Sequence, residues 1–249
     1  MKRRFDPHNP ELMDRPQPVT PELRTDLENL VALNARFGSH RLVRRFLGAW
    51  LQPGRCYRVL DLCTGSGDIP RLMVDWARAR EIVLRIDAVD ANASTLQIAA
   101  EASAGYPEIR YIPADVLTYE PEESFDFVCC SLALHHFSEA DAVRLLRRCR
   151  EHSRHYVLVS DLERGAFTTF GVWAVTTFLH REKMTQVDAR MSAERAFSFR
   201  EFHLLAEAAE WPDFGHARFF LCRQMLWLDT RKPEPVAEEE LAATLPAPA

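Results

Sequence analysis

The sequence predicts an α/β fold built on an open, mostly parallel sheet. Short apolar segments of strand length alternate with longer segments of helical periodicity along most of the 249 residues. The clearest example is 58–70, RVLDLCTGSGDIP, where an apolar run typical of a doubly buried strand passes into a turn of small residues and then a helix. Because such a turn gathers unpaired backbone amides at a helix N-terminus, it is typical of a nucleotide-binding site.

Length and composition restrict the classes of protein that fit. The chain suits one well-buried α/β domain with additions, and its net charge of -5, with mostly scattered basic residues, does not indicate a nucleic-acid partner. Its six cysteines include no C-x-x-C pair, which predicts a reduced compartment and no metal site. No segment resembles a signal peptide or reaches the length of a membrane span, so we expect a cytoplasmic protein without stable membrane insertion.

Two helices are predicted ahead of the first strand. Residues 1–19 are rich in proline and predict an arm that is extended or pinned locally. Thr20 suits a helix cap with Pro21 in the first turn, and apolar residues recur behind them at helical spacing. A second helix is predicted at 39–50.

Beyond the small-residue turn, strands and helices alternate. Residues 82–90 predict a second strand that ends in Asp90, where a carboxylate can accept hydrogen bonds from both ribose hydroxyls of a nucleotide. Asp87 lies three residues earlier, so the alternation of side chains turns it away from the crevice. Further strands are predicted at 109–112, 125–132, 155–160 and as a pair within 215–228, with helices at 71–79, 91–104, 140–149 and 198–210.

The turn after the first strand resembles a known motif. Residues 61–67, D-L-C-T-G-S-G, are similar to motif I of class I S-adenosylmethionine (SAM) methyltransferases, usually D/E-x-G-x-G-x-G, with Cys63 in the first glycine position. Asp61 and Asp68, at the two ends of the turn, disfavour a dinucleotide pyrophosphate. The resemblance implies a Rossmann-like seven-stranded mixed sheet in the order 3-2-1-4-5-7-6, with the last strand antiparallel, N-terminal helices and a helical insertion after strand 5.

Two further segments extend the SAM site that the resemblance implies. Residues 37–42, FGSHRL, resemble a segment before motif I in the ubiquinone/menaquinone-type methyltransferases. The resemblance implies that His40 or Arg41 reaches the methionine end of SAM, where Arg41 can pair with the carboxylate; a solvated basic helix face is the alternative. By the same resemblance Asp115 accepts from the adenine amino group and the Val116 amide donates to the ring, although a lone Asp after a strand is often a turn residue. The implied cofactor contacts are Arg41, Asp61, Cys63, Gly65, Gly67, Asp90, Ala91, Asp115, Val116 and Ser131.

The best candidates for catalysis follow the fourth strand. His135 and His136 lie where the resemblance places a loop that passes over the SAM sulfonium toward the acceptor. A neutral imidazole can act as a general base at neutral pH, and we expect His136, rather than His135, to do so. The alternative is that these histidines pack in the loop or contact SAM.

An insertion at 164–195 carries an aromatic stripe at helical spacing. Its members are Phe167, Phe170, Trp173 or Ala174, and Phe178. We expect the stripe to point inward, either packing on the sheet or lining the pocket of a flat apolar acceptor, and we favour packing over a membrane role. Residues 164–195 are therefore predicted to form a lid or pocket wall.

Together these features predict a SAM-dependent methyltransferase of secondary metabolism. The expected acceptor is a small apolar aromatic, quinol or polyketide-like molecule, methylated on oxygen or, less favoured, on carbon. A non-catalytic SAM-fold protein that acts as an assembly or regulatory partner is the alternative, and we expect a monomer or homodimer. The predicted organisation is an arm at 1–19, covering helices at 20–52, a methyltransferase domain at 53–230 that includes the 164–195 insertion, and a flexible tail at 231–249.

Overall fold

The computed structural model of the chain describes residues 1–219 and 222–231, and in these residues seven strands form a single sheet. The predicted tail lies outside the described residues from position 232 onward. The strands are β1 (Cys56–Leu62), β2 (Val83–Asp90), β3 (Ile109–Pro113), β4 (Phe125–Ser131), β5 (Ser153–Leu162), β6 (Gly215–Phe219) and β7 (Arg223–Asp229).

The order of the strands in the sheet is β3-β2-β1-β4-β5-β7-β6, as the resemblance implied. The first five strands are parallel, and β7 is antiparallel to both β5 and β6. In the interior strand β1, which lies between β2 and β4, Val59, Leu60 and Leu62 are fully buried. Both faces of this strand are covered, which explains why it appears in the sequence as a continuous apolar run rather than an alternating one.

The described residues also form eight α-helices around the sheet. The first begins where predicted, because the Thr20 hydroxyl accepts a hydrogen bond from the Leu23 amide at 3.2 Å and Pro21 occupies the first turn. The helices are α1 (Pro21–Arg36), α2 (Ser39–Trp50), α3 (Asp68–Arg78), α4 (Ala93–Ala102), α5 (Glu139–His152), α6 (Ala166–Leu179), α7 (Lys183–Arg195) and α8 (Phe199–Ala208). No helix in this part of the chain is both long and apolar enough to cross a membrane.

The N-terminal arm is pinned locally, for example by the hydrogen bond from Gln17 to the Leu12 carbonyl at 2.7 Å, and also by distant residues. The buried Asp188 carboxylate of α7 accepts hydrogen bonds from the amides of Leu12 and Met13 at 2.7 and 2.9 Å. Arg3 donates to the carbonyl of His135 at 3.0 Å. The arm therefore lies over the loop that follows β4, at the carboxyl end of the parallel strands.

Candidate active site

A cavity of about 790 Å³ lies at the carboxyl ends of the parallel strands. The turn after β1, the ends of β2 and β4 and the loop after β3 line one part of it, and α1, α6 and the N-terminal arm line the rest. The neighbours of β1 in the sheet are β2 and β4. From β1 the chain adds β2 and β3 on one side and then β4 and β5 on the other, so the gap between β1 and β4 is the topological switch point of the sheet. Open α/β sheets bind their ligands in this position.

The turn after β1 has a backbone that favours glycine. Cys63, Gly65 and Gly67 have φ angles of 59°, 55° and 70°, all in the left-handed region. Cys63 adopts it despite its side chain, in the position that is usually the first glycine of the motif. A Cβ at Gly65 would meet no atom within 4 Å, so the backbone is open to a ligand, whereas a Cβ at Gly67 would collide with the Tyr111 hydroxyl.

Asp90 lies at the end of β2 and lines the cavity beside the turn. Its two carboxylate oxygens accept hydrogen bonds from the amides of Gly65 and Asn92, each at 2.9 Å, and burial raises its pKa. Each oxygen keeps a further lone pair for a ligand. Asp87 instead forms an ion pair with Arg110 at 2.7 Å and does not line this cavity.

Several other predicted cofactor contacts line the same cavity. Asp115 is among them, and one of its oxygens accepts from the Leu117 amide at 2.9 Å, as in a turn, so its turn and ligand interpretations are compatible. The buried hydroxyl of Ser131 has no hydrogen-bond partner among residues 1–219 and 222–231. The predicted contacts that line the cavity are Cys63, Gly65, Asp90, Ala91, Asp115, Val116 and Ser131.

Three predicted contacts do not line the cavity. Arg41 is exposed on α2. Asp61 is buried in β1, where burial raises its pKa to about 7 and its carboxylate accepts from the Cys129 thiol at 3.1 Å. Gly67 precedes α3 and serves the turn itself. Asp68 lines the cavity instead, and His40 contacts its carboxylate at 2.9 Å.

His135 is buried in a short 3-10 turn after β4. Its hydrogen bond to a carboxylate fixes which ring nitrogen carries the proton. Its Nδ1 donates to the Asp161 carboxylate at 2.7 Å, and the other oxygen of Asp161 accepts from the His135 amide at 2.9 Å. Its Nε2 is buried without a hydrogen-bond partner in the described part of the chain, 3.8 Å from Glu11 Oε1. When this imidazole is neutral, Nε2 carries the lone pair and can accept a proton.

His136 has a different electrostatic environment from its neighbour. Its Nδ1 lies 2.8 Å from Asp14 Oδ2. Burial alone would lower the pKa of His136, but the charges of Glu11 and Asp14 outweigh burial and raise that pKa to about 10. His136 is therefore protonated at neutral pH and cannot accept another proton.

The two acids that face these histidines come from the N-terminal arm and were not identified from the sequence. Glu11 is buried and accepts a hydrogen bond from the Ser192 hydroxyl at 2.9 Å, and Asp14 lies beside His136. Both acids line the cavity. In the sequence, the only indication of a role for these two residues is that they are acidic. They lie in a proline-rich segment without helix or strand periodicity, so no pattern predicts which way they face.

The aromatic stripe of α6 faces outward, so the prediction that it points inward is wrong. Phe170, Trp173 and Phe178 are exposed and do not line the cavity, and Phe167 is exposed at the cavity mouth. Apart from Phe167, smaller side chains form the wall, and α6 packs on α7, where Arg190 donates to the Thr176 hydroxyl at 3.2 Å. The cavity wall from α6 consists of Phe167, Thr168, Gly171, Val172, Val175 and Thr176.

The histidine cluster also has the composition of a metal site. Glu11, His135 and His136 each offer a ligand atom, and these atoms lie within 4.8 Å of one another. The raised pKa of His136 places a proton on an imidazole that a metal would need in its neutral form. The absence of a metal stays a prediction.

Residues 59–155 match the family model of a methyltransferase domain. Together with the strand order and the turn after β1, this match defines a class I, SAM-dependent methyltransferase domain.

One curated relative is 2-phytyl-1,4-naphtoquinone methyltransferase of Thermosynechococcus vestitus, 35% identical over 81 residues. The match covers 32% of this chain and 35% of that relative, so the chain matches about a third of the relative's length.

Solved methyltransferase structures share the fold. The plantazolicin methyltransferase BpumL, in complex with S-adenosylhomocysteine (SAH) and a desmethyl-plantazolicin analogue, aligns with a TM-score of 0.63 and 10% identity over 85% of this chain and 91% of that one. Human N-acetylserotonin methyltransferase in complex with SAM aligns with a TM-score of 0.58 and 14% identity over 83% and 55% of the two chains. At these identities the similarity is one of fold alone.

Proposed function

We propose that this protein transfers a methyl group from SAM to an oxygen atom of an apolar small molecule. The observation that carries the proposal is a single cavity that joins a nucleotide-type turn at the end of β1 to apolar walls, with the buried imidazole of His135 among its lining groups. The domain match and the quinone methyltransferase relative support methyl transfer to a small molecule, and the choice of oxygen rests on the buried imidazole.

The residues at the strand ends fit SAM. Asp90 has free lone pairs for the ribose hydroxyls, the space above Gly65 admits a ligand close to the backbone, and the buried hydroxyl of Ser131 is available for a polar group. Asp115 and Val116 line the same cavity, and we assign them to the adenine ring. When bound, the cofactor supplies an electrophilic methyl group, and the protein contributes mainly by holding donor and acceptor in contact.

His135 is the residue that we assign as general base. Asp161 holds its Nδ1 proton, so the Nε2 lone pair is available to take the proton of an acceptor hydroxyl as the oxygen gains its methyl group. The imidazolium that results lies between the carboxylates of Asp161 and Glu11, at 2.7 and 3.8 Å.

His136 has a structural role in this proposal. Because its pKa is about 10, it carries a proton at neutral pH and pairs with Asp14 of the arm. It therefore holds the arm over the cavity rather than accepting a proton. The order of preference between the two histidines is reversed from that predicted by the sequence.

The shape of the apolar walls supports an acceptor with an aliphatic portion. The α6 wall contributes Gly171, Val172 and Val175, and α1 contributes Leu27 and Leu30, so aliphatic surface predominates over aromatic surface. The relative from Thermosynechococcus vestitus is named for a naphthoquinone that carries a phytyl chain. We propose a phenol or quinol with an aliphatic substituent as the substrate class.

A matched pair of acceptors tests this function. The protein is incubated with SAM and either a naphthoquinol that carries an aliphatic chain or the same ring without the chain, and products are identified by mass spectrometry. We expect the chain-bearing quinol to gain one methyl group on oxygen, at a higher kcat/KM than the bare ring. Binding of SAH without turnover across a panel of phenols and quinols would favour the non-catalytic alternative.

A further inference from the structure

Helix α6 presents an apolar surface outward, which we term the α6 patch. Its residues are 44% to 78% exposed, and the segment 166–179 contains no charged residue. The aromatic rings form a contiguous group, with Trp173 6.0 Å from Phe170 and 6.5 Å from Phe178 between ring centroids. An exposed contiguous apolar patch of this kind marks an interaction site. The α6 patch consists of Phe167, Phe170, Trp173, Phe178 and Leu179.

Cationic residues border the carboxyl end of the patch. Arg181 and Lys183 are exposed directly after α6. Glu182, between them, is engaged as the N-cap of α7 and accepts from the Met184 amide at 3.1 Å. Arg36, the last residue of α1, adds a third positive charge close to His180. The protein as a whole is acidic, with a net charge of -5, so this local positive border stands out from the rest of the surface.

The patch is continuous with the cavity. Phe167 is 75% exposed and also lines the cavity, so it stands at the mouth. Val172 and Val175, on the inner face of the same helix, line the interior. An apolar molecule that reaches the patch therefore finds a continuous apolar surface into the cavity.

We propose that the α6 patch docks on the surface of an anionic lipid bilayer. A helix of 14 residues is about 21 Å long, too short to span a hydrocarbon core of about 30 Å but suited to lie in the interface. Tryptophan favours this depth, and the basic border complements anionic headgroups. The acceptor then enters the cavity from the bilayer, a step that rests on the proposed function, whereas docking itself does not.

Vesicle co-sedimentation tests the docking. The full-length protein is mixed with phosphatidylcholine vesicles with or without phosphatidylglycerol. We expect the anionic vesicles to bind more protein, and the double variant Phe170→Ser/Trp173→Ser to bind them at least about tenfold more weakly, because two partly exposed aromatic side chains lose their apolar contact. Neither residue lines the cavity.

Val83→Ser is the matched control. Val83 is 56% exposed at the amino end of β2, the opposite end of this strand from Asp90, and its replacement should leave vesicle binding unchanged. Arg181→Glu/Lys183→Glu should reduce binding to anionic vesicles alone. Equal binding by wild type and the Phe170→Ser/Trp173→Ser variant would overturn the proposal.

A second copy of the chain is the competing occupant of the patch. Analytical ultracentrifugation that shows a wild-type dimer, dissociated by Phe170→Ser/Trp173→Ser, together with no vesicle binding, would also overturn the proposal. Calorimetry with SAH tests the proposed function separately from docking on the bilayer. Vesicle binding without SAH binding would contradict the proposed function and leave docking supported, and SAH binding without vesicle binding would do the reverse.

Discussion

Replacing His136 by glutamine removes the positive charge that lies between two carboxylates of the arm. The pKa of His136 is raised from its ordinary value of 6.5 to about 10, with Glu11 and Asp14 outweighing the opposite effect of burial. One pKa unit corresponds to about 1.36 kcal/mol, so the protonated imidazole stabilises the folded protein by roughly 4 kcal/mol at pH 7. We expect His136→Gln to lose free energy of unfolding on that scale.

The pH dependence of the loss follows from the direction of the shift. A raised pKa in the folded state favours folding wherever the imidazole is protonated in that state. The contribution is therefore fully present below pH 6.5 and is lost as the pH rises through about 10. The difference in stability between wild type and His136→Gln should shrink steadily over this range.

Urea denaturation of both proteins across pH 6.5 to 10 measures this difference. Asp14→Asn is the matched control, because it removes the partner that lies 2.8 Å from His136. The double variant should lose much less than the sum of the two single losses, since both substitutions break one interaction. A stability difference that is constant with pH, or equal stabilities at pH 7, would refute the assignment of His136 as a protonated anchor of the arm.

Three further predictions concern chemistry, affinity and metal content. His135→Gln should lower the rate of methyl transfer by about a hundredfold or more with little change in SAH affinity. Higher pH should restore part of the rate, because a phenolic acceptor then ionises without a base. An unchanged rate in single-turnover kinetics would contradict this prediction. Asp90→Ala should lose roughly 1.5–3 kcal/mol of SAH affinity by calorimetry while Asp87→Ala keeps it, and wild-type affinity in the first variant would move the ribose site elsewhere. The purified protein should contain no stoichiometric zinc. Elemental analysis that finds one zinc per chain would contradict this, and Glu11 and the two histidines would then be the candidate ligands.

Local patterns were enough to predict the framework of this protein. The strand β1, the left-handed turn at Gly65, the cap at Thr20 and the acid at the end of β2 each depend on residues that are close in the sequence. Propensity, capping and side-chain alternation act over such short separations, so the sequence alone predicts them. The strand order followed from the resemblance of the motif in 61–67 to a known family, and the structure confirms it.

Contacts between distant parts of the chain determine which groups meet at the histidines. Asp161, Glu11 and Asp14 reach His135 and His136 from β5 and from the arm, across long separations in the sequence. These partners determine which imidazole keeps a lone pair and which stays protonated. The pKa of a group depends on its neighbours in space, and no local pattern records them.

The orientation of α6 was likewise decided by packing. The spacing of its aromatic residues predicts one continuous face, but a stripe alone does not say whether the protein core or the surroundings lie against it. Val172, Val175 and Thr176 line the cavity and Thr176 accepts a hydrogen bond from Arg190 of α7, whereas Phe170 and Trp173 face outward. The sequence of α6 is therefore enough to predict that this helix has an apolar face. Contacts with the rest of the folded chain determine where that face points, because the burial of a side chain depends on every segment packed around it.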